Sequence, residues 1–195
     1  MFGTRRTFLT GVAATMATVS SHRPAQALQP VPPMGDDGLH KPDWIHETFR
    51  DMREDMEEAQ SLGKRMLILV EQRGCIYCRD MHENVFVEDD IAARLRDDYF
   101  VVQMNLFGNV PVTDLDGVEM DERDMMVRWG VVFTPTMIFM PEEIPDSGTL
   151  RDAAVMVMPG AFGRGTTGLM LQWVLERGYE GDEHFQHYVA RHVNP

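Results

Sequence analysis

Apolar residues along the chain alternate between helical spacing and the continuous runs of buried strands. Residues 66–70 and 99–104 form two such runs, which predict central strands buried on both faces. Apolar positions three and four apart predict an N-terminal helix from Asp43 to about Gly63. The remaining pattern predicts helices over 75–83, 89–97, 121–129 and 167–177, a last short helix around 185–189, strands over 136–140 and 154–158, a small hairpin within 106–120 and a polar turn over 141–148. This order of helices and strands predicts one α/β domain over residues 43–195.

The first 27 residues have the features of a bacterial export signal. A pair of arginines near the start precedes an apolar run over 11–19, and Ala25-Gln26-Ala27 fits a small-x-small cleavage site. The run is too short for a permanent membrane anchor, and the arginine pair is typical of twin-arginine signals. An ordinary amphipathic first helix is the alternative. We predict a signal peptide over residues 1–27, a periplasmic protein, and an extended, proline-rich leader over residues 28–42.

Charge and cysteine content narrow the class of protein. The 195 residues carry 31 acidic and 18 basic side chains, a net charge of -13, and phosphate backbones would repel so acidic a chain. Nucleic acid is therefore excluded as a partner. We interpret the acidic stretches 51–58 and 88–90 as solvated helix faces. Only two cysteines are present, which excludes a multi-disulfide scaffold and a four-cysteine zinc site.

The two cysteines, Cys75 and Cys78, stand three apart between a predicted buried strand and a predicted helix. This spacing lets them close a small disulfide ring, with Cys75 directed to solvent and Cys78 beneath it. The unpaired N–H groups and the positive end of the helix favour a thiolate at Cys75, and the flanking Arg73 and Arg79 could add to that effect. Such a thiolate can attack a partner disulfide, and Cys78 can then resolve the mixed disulfide.

Other roles of the pair can be compared with redox exchange. A structural zinc site needs four ligands, and His82 is the only nearby third candidate. A c-type haem site needs a histidine directly after the second cysteine, where this chain has Arg79. An inert structural disulfide remains an alternative, although so small a ring restricts the unfolded chain little. We therefore predict redox exchange, with no metal and no cofactor.

Four further residues are candidates for the same site. Thr134-Pro135 precedes a predicted buried strand, where Pro135 is either an ordinary first residue of the strand or a cis-proline turned towards the cysteines. Glu71 is either a proton relay or a surface-exposed residue at a strand end, and we favour the exposed residue. His82 falls one turn after Cys78 and could face the motif, but we favour a structural histidine.

The strand, the CxxC helix and the Thr-Pro step before a hairpin resemble the thioredoxin superfamily over about residues 43–178. More narrowly, the chain is similar to the periplasmic SoxW-type thioredoxins of sulfur-oxidation gene clusters. The segments that carry this likeness are Glu71-Gln72-Arg73-Gly74-Cys75-Ile76-Tyr77-Cys78-Arg79-Asp80-Met81-His82, Asp114-Leu115-Asp116-Gly117, Phe133-Thr134-Pro135-Thr136 and Met158-Pro159-Gly160. The resemblance implies a thioredoxin fold, in which helices flank a central mixed sheet, with an N-terminal helix and a cis-proline loop.

The resemblance also implies roles for single residues. Pro135 would be cis and pack against the cysteines, so that the backbone of Thr134 pairs with a substrate chain next to Tyr77. One departure affects proton transfer. Thioredoxin has a buried aspartate six residues before its first cysteine, and this chain has Leu69 there. The proton-relay role is therefore vacant or is filled by Glu71.

These expectations combine into a monomeric periplasmic thiol-disulfide oxidoreductase with Cys75 and Cys78 as catalytic residues. It would reduce a cysteine of a partner protein and draw electrons from a membrane thiol donor. This direction follows from the resemblance and from Tyr77, which stands where strongly oxidising relatives have a histidine. The alternatives are a thiol oxidase or isomerase, and a non-catalytic binding module that uses the groove at Thr134 and Pro135 and has an inert disulfide.

Overall fold

The computed structural model describes Met1 and residues 28–193. The predicted export signal therefore lies, apart from Met1, outside the described residues. In chain order the helices and strands are α1 (Met52–Ser61), β1 (Arg65–Glu71), α2 (Ile76–Asn84), α3 (Asp89–Asp97), β2 (Tyr99–Asn105), β3 (Pro111–Thr113), β4 (Glu119–Asp121), α4 (Glu122–Arg128), β5 (Thr136–Phe139), α5 (Leu150–Ala153), β6 (Met156–Pro159), α6 (Arg164–Leu175), a 3₁₀ turn (Gly178–Glu180) and α7 (Phe185–Val193). None of the described helices has both the length and the apolar character that a membrane crossing requires.

Four strands form the central sheet in the order β2-β1-β5-β6. Strands β1 and β2 are parallel over their whole length, whereas β5 runs antiparallel to β1 and β6 antiparallel to β5. The short strands β3 and β4 form a separate hairpin. The prediction of a mixed sheet flanked by helices is confirmed. The continuous apolar runs became β1 and β2 because both strands are covered on both faces.

Alternating side chains of β1 divide the core into two parts. Leu67 and Leu69 pack towards α2, α3 and α6, and we call this side of the sheet the α2 face. Met66, Ile68 and Val70 pack towards α1 and α4 on the other side, the α1 face. Glu71 ends the strand in phase with Leu67 and Leu69, and its side chain therefore belongs to the α2 face.

The N-terminal helix is shorter than predicted. It begins at Met52 and not near Asp43, with Asp51 as the N-cap whose carboxylate accepts from the N–H groups of the next turn. Residues 43–50 are instead non-helical: after a turn at Asp43 and Trp44, the backbone at Ile45 pairs with Val101 at the edge of β2. Phe49, which the helical pattern would have buried, is 97% exposed.

The leader over residues 28–42 packs along the body of the domain. The N–H of Gln29 donates to the Val87 carbonyl at 2.6 Å. Further along, Met34 and His40 pair across a tight loop. Gly38 in this loop has a φ of +76°, and a Cβ there would lie 2.7 Å from the Arg73 side chain. The positive φ therefore favours glycine here, and a larger residue would also displace the Arg73 side chain.

The region between β5 and β6 contains a helix that the predicted polar turn did not include. Thr149 and Asp152 form a capping box at the start of α5, in which each side chain accepts from the other residue's backbone N–H. Asp114, after β3, fastens this helix to the α1 face by accepting from the N–H groups of Leu115 and Leu150 and from the Trp129 indole, at 2.8, 2.7 and 2.9 Å. Asp114, the first aspartate of the Asp-Leu-Asp-Gly segment, thus has a structural role.

Candidate redox site

The cysteine pair lies where β1 meets α2. After the strand the chain turns through Gly74, which has a φ of +74°, and Cys75 becomes the N-cap of α2. Cys75 and Cys78 are joined by a disulfide, with their Cα atoms 5.2 Å apart. Cys75 is half-buried and Cys78 is buried. One cysteine is therefore open to a partner, and the other lies beneath it.

The helix end stabilises negative charge at Cys75. The backbone N–H of Cys78 donates to the Cys75 sulfur at 3.0 Å, which directs an otherwise unpaired helical donor at this atom. When the disulfide is reduced, this contact and the helix dipole favour a thiolate at Cys75. Arg73, expected to add to this effect, directs its guanidinium elsewhere and donates to the carbonyls of Asp36 and Asp37 at 2.6 and 3.1 Å.

The Thr134-Pro135 step lies directly against the cysteines. The peptide bond is cis, the Thr134 carbonyl oxygen is 3.6 Å from the Cys75 sulfur, and the Thr134 hydroxyl oxygen is 3.4 Å from it. The Pro135 carbonyl accepts from the Gly160 N–H at 2.7 Å, which ties the loop to the segment after β6. The structure therefore brings Thr134 and Pro135 together with the cysteine pair.

Apolar side chains surround the exposed cysteine. Ile76 and Tyr77, between the cysteines, are 60% and 61% exposed. Val132 and Phe133, just before Thr134, are 69% and 64% exposed. We call these four residues the apolar rim. Large apolar side chains exposed together in this way are typical of protein-binding surfaces.

Glu71 is buried, and the expectation that it is exposed was wrong. Only 1% of the residue is accessible, and His82, which is fully buried, places its Nε2 at 3.0 and 3.2 Å from the two carboxylate oxygens. The Gln103 amide on β2 donates to Glu71 Oε2 at 2.6 Å. His82, favoured as a structural histidine, is thus the direct partner of the buried carboxylate. The β1–β2 pairing and the helical turn after Cys78 bring these side chains together.

A cavity connects this buried carboxylate with the cysteines. It has a volume of about 300 Å³, and its walls include Glu71, Cys75, Cys78 and, from the leader, His40. The cavity is large enough for water, and polar groups stand among its mostly apolar walls, so water there could carry a proton between two of its lining groups. His40 donates its Nδ1 proton to the Pro32 carbonyl at 3.2 Å, while its buried Nε2 has no protein partner.

Sequence reasoning missed the contributions of Gln103, His40 and Lys41. Lys41 Nζ donates to Gln103 Oε1 at 2.7 Å, and the His40 carbonyl accepts from Gln103 Nε2 at 2.9 Å. The only signal was a single polar residue, Gln103, inside an apolar strand. Within residues 28–193, no group of three or more His, Cys, Asp or Glu side chains is arranged to hold a metal ion.

Comparison with known proteins gives the same architecture. Residues 52–143 match the family model of a thioredoxin-like domain. A thioredoxin-fold protein from Helicobacter pylori superposes with a TM-score of 0.52 at 14% identity, over 75% of this chain and 97% of that one. The chain has a thioredoxin fold. A thioredoxin from Thermus thermophilus superposes with a TM-score of 0.51 at 18% identity, over 66% of this chain and 86% of that one. Among curated protein sequences, none matches the chain.

Proposed function

We propose that this protein is a periplasmic thiol-disulfide oxidoreductase that reduces cysteines of partner proteins through Cys75 and Cys78. The observation that carries the proposal is the environment of Cys75. Its sulfur is accessible, accepts from the Cys78 N–H at 3.0 Å and lies 3.6 Å from the Thr134 carbonyl, while Cys78 is buried directly behind it. This is the arrangement that an attacking cysteine and a resolving cysteine need.

The first step uses the reduced protein, whose two thiols have received their electrons from a dithiol donor. The Cys75 thiolate attacks one sulfur of a partner disulfide. A bond forms between this sulfur and Cys75, the partner's own S–S bond breaks, and its other sulfur leaves as a thiolate that takes a proton from water.

The second step releases the partner. The Cys78 thiol gives its proton to the Glu71 carboxylate through the cavity that both residues line, and the resulting thiolate attacks the Cys75 sulfur. The Cys75–Cys78 disulfide forms, and the remaining partner sulfur leaves as a thiolate. Two electrons have passed from the protein to the partner, and Glu71 returns its proton to solvent.

The surface around Cys75 supplies the means of recognition. An extended partner segment can pair with the Thr134 backbone, while its side chains contact the apolar rim. Both features flank the sulfur that attacks, so a bound segment would bring its disulfide to Cys75. This supports a partner that is a protein and not a small soluble disulfide.

Location, donor and partner class rest on the sequence. The signal pattern of residues 1–27 supports export to the periplasm, and the SoxW-type likeness supports a membrane dithiol donor and a reductive direction. Tyr77 cannot carry the positive charge that a histidine would place between the cysteines, which also favours the reductive direction. Cell fractionation checks the location, and size-exclusion chromatography checks the predicted monomer.

Trapping of the mixed disulfide tests the activity. Cys78→Ser leaves no internal thiol to break the bond to a partner, so covalent complexes should accumulate and survive non-reducing electrophoresis. Cys75→Ser should trap little, because Cys78 is buried. If the wild type exchanges neither with dithiothreitol nor with glutathione, the pair is an inert disulfide and the protein is a binding module. If complexes form chiefly with partners that are reduced in the cell and become oxidised, the protein is an oxidase.

A further inference from the structure

The buried side-chain amide of Gln103 links the leader with the Glu71 carboxylate of the redox site. Gln103 is 4% exposed and lies between Glu71 and the leader residues His40 and Lys41. Its Oε1 accepts from Lys41 Nζ at 2.7 Å. Its Nε2 donates to Glu71 Oε2 at 2.6 Å and to the His40 carbonyl at 2.9 Å. Both the oxygen and the NH₂ group of the Gln103 amide therefore have hydrogen-bond partners.

Lys41 selects the orientation of this amide. Rotating the Gln103 amide by half a turn would direct its oxygen at two acceptors, the Glu71 carboxylate and the His40 carbonyl. It would also direct its NH₂ group at the Lys41 ammonium, which can only donate. The first two contacts would leave buried oxygens without a donor, and the third would place the buried NH₂ group against a cation, each at a cost in free energy. With Lys41 in place, the NH₂ group must face Glu71.

The polar and titratable groups around Glu71 come from three elements. His82 on α2 contacts the carboxylate directly, and the His40 ring from the leader lies with its centroid 4.7 Å from that of His82. Lys41 reaches it through Gln103 on β2 and is shared with Asp37, at 2.7 Å. Burial opposes ionisation of Asp37, but the hydrogen bonds from Lys41 and from the Leu39 N–H, together with the charge of Lys41, outweigh it, so the pKa of Asp37 is lowered.

A second charged pair lies next to Lys41. Arg50 and the buried Glu122 form an ion pair at 2.7 Å, and both line a small cavity of about 110 Å³ with Lys41 and Gln103. Glu122 has its own cation in Arg50 and accepts from the Asn105 N–H at 2.9 Å. The Lys41 ammonium instead contacts Asp37 and Gln103.

We propose that Lys41 is a positioning residue of the redox site, which fixes the Gln103 amide so that it donates to the Glu71 carboxylate. This inference rests on the proposed function, because it concerns the group that accepts the Cys78 proton. The donated hydrogen bond stabilises the ionised carboxylate and holds it towards the cavity shared with Cys78. Position 41 precedes the stretch 52–143 that matches the thioredoxin-like family model, so the leader of this chain contributes to the chemistry.

The experiment follows the two sulfur steps separately. Reduced protein is mixed rapidly with dithiobis(nitrobenzoate), which releases one coloured thiolate when Cys75 attacks and a second when Cys78 resolves the mixed disulfide. Lys41→Met should leave the first release unchanged. It should slow the second about tenfold near neutral pH, the size expected for losing a hydrogen bond to a charged group. Lys41→Arg, which can still donate to the Gln103 oxygen, should restore the second release in part.

The chain provides a matched control in Lys64, its other lysine. Lys64 Nζ donates to the Arg96 carbonyl at 2.7 Å and has no contact with the redox site. Lys64→Met should change neither release. If Lys41→Met gives the same two rates as Lys64→Met, the inference is wrong. If the wild type releases only one coloured thiolate, the resolving step itself is absent, and it is the proposed function that fails.

A double-mutant cycle shows whether Lys41 acts through Gln103. Gln103→Leu removes the amide and should slow the second release as Lys41→Met does. Adding Lys41→Met to Gln103→Leu should then have no further effect on the second release, because the two residues form one pathway. A full additional loss in the double variant would contradict the inference. Should Lys41→Met fail to fold, Gln103→Leu and Lys41→Arg alone decide it, since an unchanged second release in Gln103→Leu overturns it.

Discussion

The two faces of the sheet bury carboxylates in opposite surroundings. On the α2 face, His82 and Gln103 contact the Glu71 carboxylate, and Lys41 is connected with it through Gln103. On the α1 face, Asp55 is buried at the start of α1 with one hydroxyl donor, Thr48, at 3.0 Å. Burial, and then the neighbouring acids on the same helix, raise the pKa of Asp55 to about 7 despite the Thr48 hydrogen bond.

The α1 face also shows that donors alone do not make a redox site. Asp114 accepts three hydrogen bonds, yet its partners join a hairpin, α4 and α5, far along the chain from the cysteines. Glu71 differs because its cavity also contains both cysteines. The comparison teaches that the role of a buried carboxylate depends on which residues line the same cavity, as well as on its hydrogen-bond donors.

The largest expected effect belongs to Glu71. Glu71→Gln keeps the size of the side chain but removes the proton acceptor, so the second release of coloured thiolate should slow about a hundredfold, the scale of lost general-base catalysis. The first release should be unchanged. Rapid-mixing kinetics on the reduced variant measures both. A second release as fast as that of the wild type would show that Glu71 does not accept the Cys78 proton.

The matched change on the other face is Asp114→Asn. An amide there loses one hydrogen bond if its NH₂ group faces the Trp129 indole, and two if it faces the N–H groups of Leu115 and Leu150, so at least one buried donor loses its acceptor. The free energy of unfolding should fall by about 2 kcal/mol in urea titrations, the scale of leaving a buried donor unsatisfied. Both thiolate releases should keep their wild-type rates. A slowed second release would show that Asp114 on the α1 face also affects the redox site, contrary to the structural role assigned to it here.

The smallest effect is expected from Asp55→Asn, and it depends on pH. The folded-state pKa of Asp55 lies above its unfolded value, so folding favours the protonated form, and the wild type loses stability as pH rises from about 4 to about 7. Asn cannot ionise. The variant should therefore match the wild type near pH 4 and exceed it by roughly 1 kcal/mol at pH 8, a value reduced for the hydration that the carboxylate retains. Thermal unfolding at both pH values measures the difference, and a variant less stable at pH 8 would contradict this account.

Sequence patterns predicted the elements whose cause is local. The apolar runs of β1 and β2 and the helix over Asp89–Asp97 were predicted closely, because burial on both faces and amphipathic spacing act within each segment. The start of α1 was misplaced because pairing of residues near Ile45 with β2 depends on a distant strand edge. Asp51, a good N-cap residue, was the local signal for the true start.

The candidate site was predicted in part for the same reason. The positions of Cys75 and Cys78 follow from a strand that leads into a helix, which the sequence shows directly. Burial of Glu71 depends on His82, on Gln103 more than thirty residues later, and on the leader, which no local pattern connects. Such a carboxylate looks exposed in sequence because it ends a strand next to a turn.

The contact of Lys41 with Gln103 also has an evolutionary consequence. One partner lies before the stretch that matches the thioredoxin-like model and the other lies within it, so selection on the domain extends into its leader. A mutation of Lys41 alone would leave the buried Gln103 oxygen without its donor, and a mutation of Gln103 alone would leave Lys41 with Asp37 only. In the lineage of this chain, positions 41 and 103 should therefore change together, and relatives that lack the leader should have a different residue in place of the glutamine.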